Sequence, residues 1–242
     1  MRSFDYIESG KTLLTPHTTS LLAAIHEAKG RQSIQTTIRP DILGTLVAVA
    51  RIQSTDASNR IEGISTSDSR LNDLVSEKVT PRNRNEEEIA GYRDALSVIH
   101  ESHDYIPITP NVILQLHRDL FRHTPLTFAG HFKDSDNVII ERDAHGTSTV
   151  RFAPPSALVT PELIERACSA YTQAIRDGHT DPLLAIAMFI LDFTCIHPFN
   201  DGNGRMSRLL TLLMLYRNGY MVGKYISIEP VSYTHLTLPT IR

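Results

Sequence analysis

The twelve residues 197–208 (HPFNDGNGRMSR) contain the side chains of this chain that are best suited to chemistry. They combine a histidine, a carboxylate, two glycines and two arginines within one short segment. His197 is a candidate general base, because an imidazole titrates near neutral pH. Asp201 offers a carboxylate of the kind that Mg²⁺ prefers beside phosphate oxygens.

The two glycines of this segment, Gly202 and Gly204, indicate an anion site. Glycine adopts backbone angles that other residues resist, so successive N–H groups can converge on one anion. The apolar run 209–216 predicts a following helix, whose N-terminus favours negative charge. Arg205 and Arg208, three residues apart, would share a face of its first turn. A base beside such a site suggests phosphoryl or nucleotidyl transfer.

The segment has the pattern H-P-F-x-D-G-N-G-R-x-x-R and resembles the signature of the Fic family, with every fixed position present. The resemblance extends to 87–96 (EEIAGYRDAL), which is similar to an early helix of the Fic core. Residues 113–121 (ILQLHRDLF) are similar to the helix that leads to the family's flap, and 130–155 to the flap itself. It covers about 200 residues, to roughly residue 228.

The resemblance implies a protein adenylyltransferase, which transfers AMP from ATP to a Ser, Thr or Tyr hydroxyl of a target protein and possibly of itself (AMPylation), releasing pyrophosphate. His197 is then the general base, and Asp201 holds Mg²⁺. Asn203 orients the α-phosphate, and Arg205 neutralises the leaving phosphates. The predicted nucleotide-binding residues are Gly202, Asn203, Gly204, Arg205 and Arg208. A loop-capping role for Asp201 is the alternative, and Phe199 is expected to fill the core below the loop.

Residues 58–63 (SNRIEG) match [S/T]-x-x-x-E-[G/N], the inhibitory-helix motif of the same family. Ser58 and Glu62 are four residues apart and would share one helix face, and Gly63 suits the position that ends the helix. By the resemblance, Glu62 pairs with Arg208 and withdraws this arginine from the γ-phosphate. The resemblance therefore predicts autoinhibition, although a short Glu-Gly pattern alone also fits a solvated helix end.

Residues 137–152 are predicted to form a hairpin over the active loop, if the family geometry holds. Its free edge could pair with an extended segment of the target protein. A plain surface hairpin is the alternative. Four residues near its turn are expected to be solvated and without chemical role: Glu141, Arg142, Asp143 and His145.

Two other functions stay open. A Fic enzyme could instead transfer another phosphate-containing group, or remove AMP with Glu62 positioning a water. A non-catalytic regulatory module could bind ATP and act through a partner, in which case His197 would have no chemical purpose. A homodimer is also possible.

Composition limits the class of protein. The 242 residues carry a net charge of −3, so no global field favours nucleic acid or an anionic membrane surface. The most apolar run, 183–196, contains Asp192 and is too short to cross a bilayer. Cys168 and Cys195 lack C-x-x-C spacing, and no secretory signal is evident. A cytoplasmic protein without a membrane partner is expected.

Helical periodicity dominates, which predicts a mainly α protein: a Fic-type helical bundle with one β-hairpin flap. We expect an N-terminal helical region (1–80) with the inhibitory helix, a catalytic core (81–228), and a tail (229–242). In the tail, Pro230 and Pro239 flank a Thr-rich stretch where the family pattern predicts a helix, so it is expected not to be native family sequence. Helices are predicted at 18–29, 40–52, within 65–85, and at 86–101, 111–121, 161–177, 181–195 and 209–216, with strands at 137–140 and 149–152.

Overall fold

The computed structural model describes residues 4–38, 40–142 and 148–229, which form a helical protein with one antiparallel hairpin. This confirms the predicted fold class. Asp143, His145 and residues 230–242 lie outside the described residues, as do the surroundings of the Glu141 and Arg142 side chains.

The elements are α1 (Tyr6–Leu13), α2 (Pro16–Ile38), α3 (Pro40–Ile61), α4 (Asp68–Val75), α5 (Arg84–Ser102), α6 (Pro110–Leu120), β1 (Ile139–Arg142), β2 (Ser148–Phe152), α7 (Thr160–Asp177), α8 (Pro182–Ile196), α9 (Asn203–Arg217) and α10 (Val222–Tyr225).

The main hydrophobic core lies among α5, α6, α7, α8 and α9. Helix α8 is apolar on nearly every side, as expected for a helix that is surrounded by others. Its one carboxylate, Asp192, is buried and accepts a hydrogen bond from the Tyr6 hydroxyl at 2.8 Å. This bond attaches α1 to the core and satisfies a charge that would otherwise be costly to bury. Within the described residues, no helix is long and apolar enough to cross a membrane.

Two predicted helix boundaries were wrong because the helices continue further. Helix α2 runs through Gly30 to Ile38, so the polar stretch 31–37 is helical and not a connection. A Cβ at residue 30 would meet nothing within 4 Å, and one glycine costs a helix only about 1 kcal/mol relative to alanine. Helix α3 extends to Ile61 and therefore carries most of the inhibitory motif.

The helix after the active loop is longer than the apolar run 209–216. Helix α9 begins at Asn203, so both arginines lie in its first turns, as expected. Helices α1 and α10 were not predicted at all. Each is short, eight and four residues respectively, and short helices depend on tertiary packing more than on their own propensity.

Helix α3 ends at Ile61, and Gly63 lies just beyond it in the terminating position that the inhibitory motif predicted. The N–H groups of Gly63 and Ile64 donate to the carbonyls of Arg60 and Asn59, each at 3.0 Å. Gly63 has φ +76°, in the left-handed region that suits glycine. This is a Schellman motif, and it fixes the direction of Glu62 at the last turn of the helix.

A stability prediction follows from the close approach of α5 and α6. A Cβ at Gly91 would lie 2.0 Å from the carbonyl oxygen of Leu120, so Gly91→Ala should force the helices apart and destabilise the fold by about 1–3 kcal/mol. Gly30→Ala is the matched control, since it adds the same methyl group in open space and should stabilise by up to about 1 kcal/mol. Urea unfolding of both variants measures the difference, and equal midpoints would contradict the proposed contact.

Candidate active site

The active loop, residues 197–208, starts with an abrupt reversal of the chain. Helix α8 ends at Ile196, and His197 follows with φ 51° and ψ 62°, a left-handed conformation that is uncommon outside glycine. The His197 N–H donates to the carbonyl of Phe193 at 3.0 Å and so closes the last turn. The reversal places the half-buried imidazole at the start of the loop.

Gly202 is required by both angle and space. Its φ is +82°, and a Cβ would lie 2.8 Å from the ring of Phe121. The next residue, Asn203, begins α9, so the end of the loop is a helix N-terminus. The loop thus presents the free N–H groups of a helix to its surroundings, which favours an anion there.

Phe199 anchors the loop in the core, as expected. It is fully buried, and its ring stacks on His117 of α6 with centroids 3.7 Å apart. The His117 Nδ1 accepts from the Gly130 N–H at 2.9 Å, which leaves Nε2 to donate to the Asp201 carbonyl at 3.1 Å. Burial lowers the pKa of His117 to about 4, so the ring is neutral. His117 lies on the apolar face of α6, and its sequence position predicts no role in the loop.

Asn203 is committed to the loop itself. Its Oδ1 accepts from the Phe199 N–H at 2.9 Å, and its Nδ2 donates to the Phe199 carbonyl at 2.8 Å. Both ends of this buried amide are therefore used to close the loop. The predicted contact of Asn203 with an α-phosphate stays a prediction, because the Nδ2 amide carries a second hydrogen.

Asp201 combines a loop-capping contact with exposure. Its Oδ1 accepts from the Gly202 N–H at 2.6 Å, while the side chain remains 46% exposed. A single accessible carboxylate beside a phosphate site fits Mg²⁺, which usually takes one or two protein carboxylates and completes its shell with phosphate oxygens and water. Both the capping geometry and the metal-binding chemistry are therefore compatible with this residue.

Arg205 is buried and paired with an acid that the sequence analysis did not identify. Its side chain is 1% exposed, and Nη1 lies 2.7 Å from Oε2 of Glu88 on α5. Glu88 also accepts from Nε of Arg84 at 2.8 Å. The pairing fixes the direction of the guanidinium and offsets the cost of burying its charge. Nothing in the spacing of Glu88 along α5 distinguishes it from its acidic neighbours, so only the fold reveals the pair.

Arg208 is held by the end of α3. Its Nε donates to Ser58 Oγ at 2.7 Å, and its Nη2 donates to the Ser58 carbonyl at 2.9 Å and to Glu62 Oε1 at 2.8 Å. The same Glu62 oxygen would lie only 2.2 Å from a Cβ at Gly204. The structure therefore brings the motif 58–63 onto the first turns of α9, and the Glu62 carboxylate lies where an anion would meet the arginine.

A buried acid supports α3 one turn before Ser58. Glu229, the first residue of the predicted tail, accepts hydrogen bonds from Ser54 at 2.9 Å and Ser227 at 2.8 Å. It also accepts from the Tyr92 hydroxyl of α5 at 3.4 Å. Burial, followed by the charge of Glu229, raises the pKa of Tyr92, which therefore remains a neutral donor. These bonds link α3 to α5 and the segment after α10.

The electrostatics of His197 favour its neutral form. Burial lowers its pKa most, and the nearby ammonium of Lys133 lowers it further, while Glu62 opposes the shift. A neutral imidazole has a free lone pair and can accept a proton. The residue is therefore in the protonation state that a general base requires at neutral pH.

The flap, residues 130–155, contains the hairpin β1–β2. Its strands pair antiparallel, with Ile139 opposite Phe152. Ile140 and Val150, also paired, are 54% and 63% exposed. A two-stranded ribbon has free backbone donors and acceptors along its edges, and here large apolar side chains accompany them. Exposed strand edges are the surfaces to which extended peptides add in β-augmentation.

Comparison with known proteins agrees with these observations. Residues 107–215 match the model of the Fic/DOC family. A Fido domain-containing protein from Dictyostelium discoideum is 35% identical over 103 residues, which are 41% of this chain and 67% of that protein. Protein adenylyltransferase fic-1 of Caenorhabditis elegans is 28% identical over 145 residues, 57% of this chain. The match spans only 25% of that relative's length.

Solved structures show the same fold. A Fic domain containing signaling protein from Bacteroides thetaiotaomicron has a TM-score of 0.73 at 24% identity, over 89% of this chain and 78% of that one. A fragment of Fic-1 from C. elegans has a TM-score of 0.69 at 19% identity, over 93% and 66%. Family model, relative and fold agree, and this chain belongs to the Fic/DOC family.

Proposed function

We propose that this chain is an autoinhibited protein adenylyltransferase, which transfers AMP from ATP to a Ser, Thr or Tyr hydroxyl of a protein. The observation that carries the proposal is the active loop, with a neutral histidine at one end and two arginines on a helix N-terminus at the other. A purely ATP-binding module would need the second part but not the first. The name of the C. elegans relative, protein adenylyltransferase fic-1, supports the same reaction.

In the proposed reaction, His197 takes the proton of the attacking hydroxyl as its oxygen bonds to the α-phosphorus. The bond from that phosphorus to the bridging oxygen breaks, and pyrophosphate leaves. The N–H groups at the start of α9 and the buried Arg205 stabilise negative charge on the phosphates. Asp201 would hold Mg²⁺, which supplies further charge neutralisation when bound.

The contact between Glu62 and Arg208 supports the proposed inhibition. The carboxylate uses the Nη2 donor of Arg208 and lies against Gly204, at the N-terminus of α9. A γ-phosphate in that place would face a like charge and would lack its arginine. ATP could then bind only in a pose that turns its α-phosphate away from the attacking hydroxyl. We propose that the flap fixes that hydroxyl by pairing with the target's backbone.

Removal of AMP is the second candidate. The side chain of Glu62 is partly exposed, 36%, beside the loop, so its carboxylate could position a water for hydrolysis. In this reading Glu62 is required for activity, whereas in the first it opposes activity. The two readings therefore predict opposite results for the same substitution.

We expect Glu62→Gly to raise AMP transfer by at least about tenfold, because it frees Arg208 and removes a like charge from the phosphate site. The measurement is label transfer to lysate proteins with Mg²⁺ and ATP labelled on either the α- or the γ-phosphate. Glu101→Gly, at the exposed end of α5, is the matched control. Unchanged AMP transfer by a folded variant would refute the proposed inhibition by Glu62. Label transferred only from the γ-phosphate would indicate a kinase.

We expect His197→Ala, in the Glu62→Gly background, to lower transfer by about 10²–10⁴-fold, the contribution of a general base. ATP binding should remain, because the proposed phosphate-binding groups are the arginines and the N–H groups of α9, and His197 is not among them. His197→Asn gives a second test, since asparagine tolerates the left-handed backbone. Retained transfer in both variants would show that His197 is not the base.

The lowered pKa of His197 predicts the pH dependence of the Glu62→Gly variant. The base works only when unprotonated, so a lowered pKa keeps it active into more acidic solution. Initial rates of AMP transfer should therefore fall only below about pH 6.5, the ordinary value for histidine. A loss of rate that is half complete above that pH would contradict the assignment.

A further inference from the structure

Lys133 contacts the chain on both sides of His197. Its backbone N–H donates to the carbonyl of Pro198 at 2.8 Å, and its Nζ donates to the carbonyl of Ile196 at 3.2 Å. The residue lies between α6 and β1, and it is only 3% exposed. One residue of the flap therefore bonds the carbonyls immediately before and after the proposed base.

These bonds hold a backbone that needs support. His197 has a left-handed conformation, and such conformations persist only where the surrounding structure fixes them. Ile196 is the last residue of α8, where carbonyls lack partners within the helix. The ammonium supplies a donor at the point where the helix has none.

A second flap residue extends the contact. Asn137 Oδ1 accepts from Lys133 Nζ at 2.9 Å, and Asn137 Nδ2 donates to the carbonyl of Phe199 at 3.4 Å. The pair thereby reaches three carbonyls in the segment 196–199. Burial lowers the pKa of Lys133, but the ammonium retains these oxygen partners, and its charge lies close enough to lower the pKa of His197.

We propose that Lys133 is a positioning residue for the general base, which couples the root of the flap to the direction of the His197 imidazole. The inference rests on the proposed function of His197. Lys133 contacts the loop backbone and would touch neither ATP nor the target hydroxyl. Its loss should therefore affect the chemical step and leave nucleotide binding intact.

The test compares variants in the Glu62→Gly background. Lys133→Met keeps the apolar stem and removes the ammonium, so kcat should fall by about 10- to 100-fold through misplacement of the base, while the KM for ATP stays unchanged. Lys133→Arg retains charge and donors and should recover most of kcat. The matched control is Lys78→Met, at an exposed site, which should leave both constants unchanged.

The pH profile adds a readout that a purely structural role would not move. Without the Lys133 charge, the acidic limb of kcat should shift to higher pH in Lys133→Met. Glu62, the carboxylate that acts in the opposite direction, is absent from both proteins compared. An unshifted limb together with an unchanged kcat would overturn the proposal.

Hydrogen exchange separates this inference from the proposed function. If the Glu62→Gly parent transfers no AMP, the adenylyltransferase proposal fails, but exchange of a peptide covering 197–202 still reports the contact. That peptide should exchange faster in Lys133→Met than in Lys78→Met, with α2 unchanged. Equal exchange in the two variants, or equally faster exchange throughout α8 and α2, would overturn the positioning role.

Discussion

The positive N-terminus of α9 is the constraint around which the site is arranged. Free N–H groups and two arginines converge there, and two neighbouring helices each supply an acid to one of the arginines. Glu88 faces Arg205 from α5, and Glu62 faces Arg208 from α3. The difference between them is burial: Glu88 is enclosed in the core, whereas Glu62 is partly exposed at the end of a helix. The buried pair of Glu88 and Arg205 is suited to a structural role, whereas a ligand could replace Glu62 at Arg208.

The sequence predicted the parts of the site whose geometry is local. Gly63 ends α3 because the Schellman motif needs only neighbouring residues. The hairpin is predicted by β-branched runs around a turn. The pairing of Glu62 with Arg208 is not local, and it was implied only by the resemblance of two short motifs to the Fic family. Phe199 was placed in the core because an aromatic side chain within a polar loop has few other locations.

The parts that it missed depend on contacts distant in sequence. Lys133, His117 and Glu88 each act on a loop that lies tens of residues away. Helix α1 is attached to the core by the hydrogen bond between Tyr6 and Asp192, which the sequence of α1 does not predict. In each case the residue type shows that the side chain can form a hydrogen bond or an ion pair. Which residue it pairs with is decided by the tertiary packing.

The support of α3 by Glu229 has a consequence for how such a protein can change during evolution. The acid holds the helix through Ser54, which lies about one turn before Ser58 and two turns before Glu62, the residues that contact Arg208. Substitutions around this anchor would alter how firmly the helix is seated without touching any group of the active loop. If the proposed inhibition by Glu62 holds, its strength and the chemistry of the loop depend on separate parts of the chain, so selection could adjust the one while conserving the other.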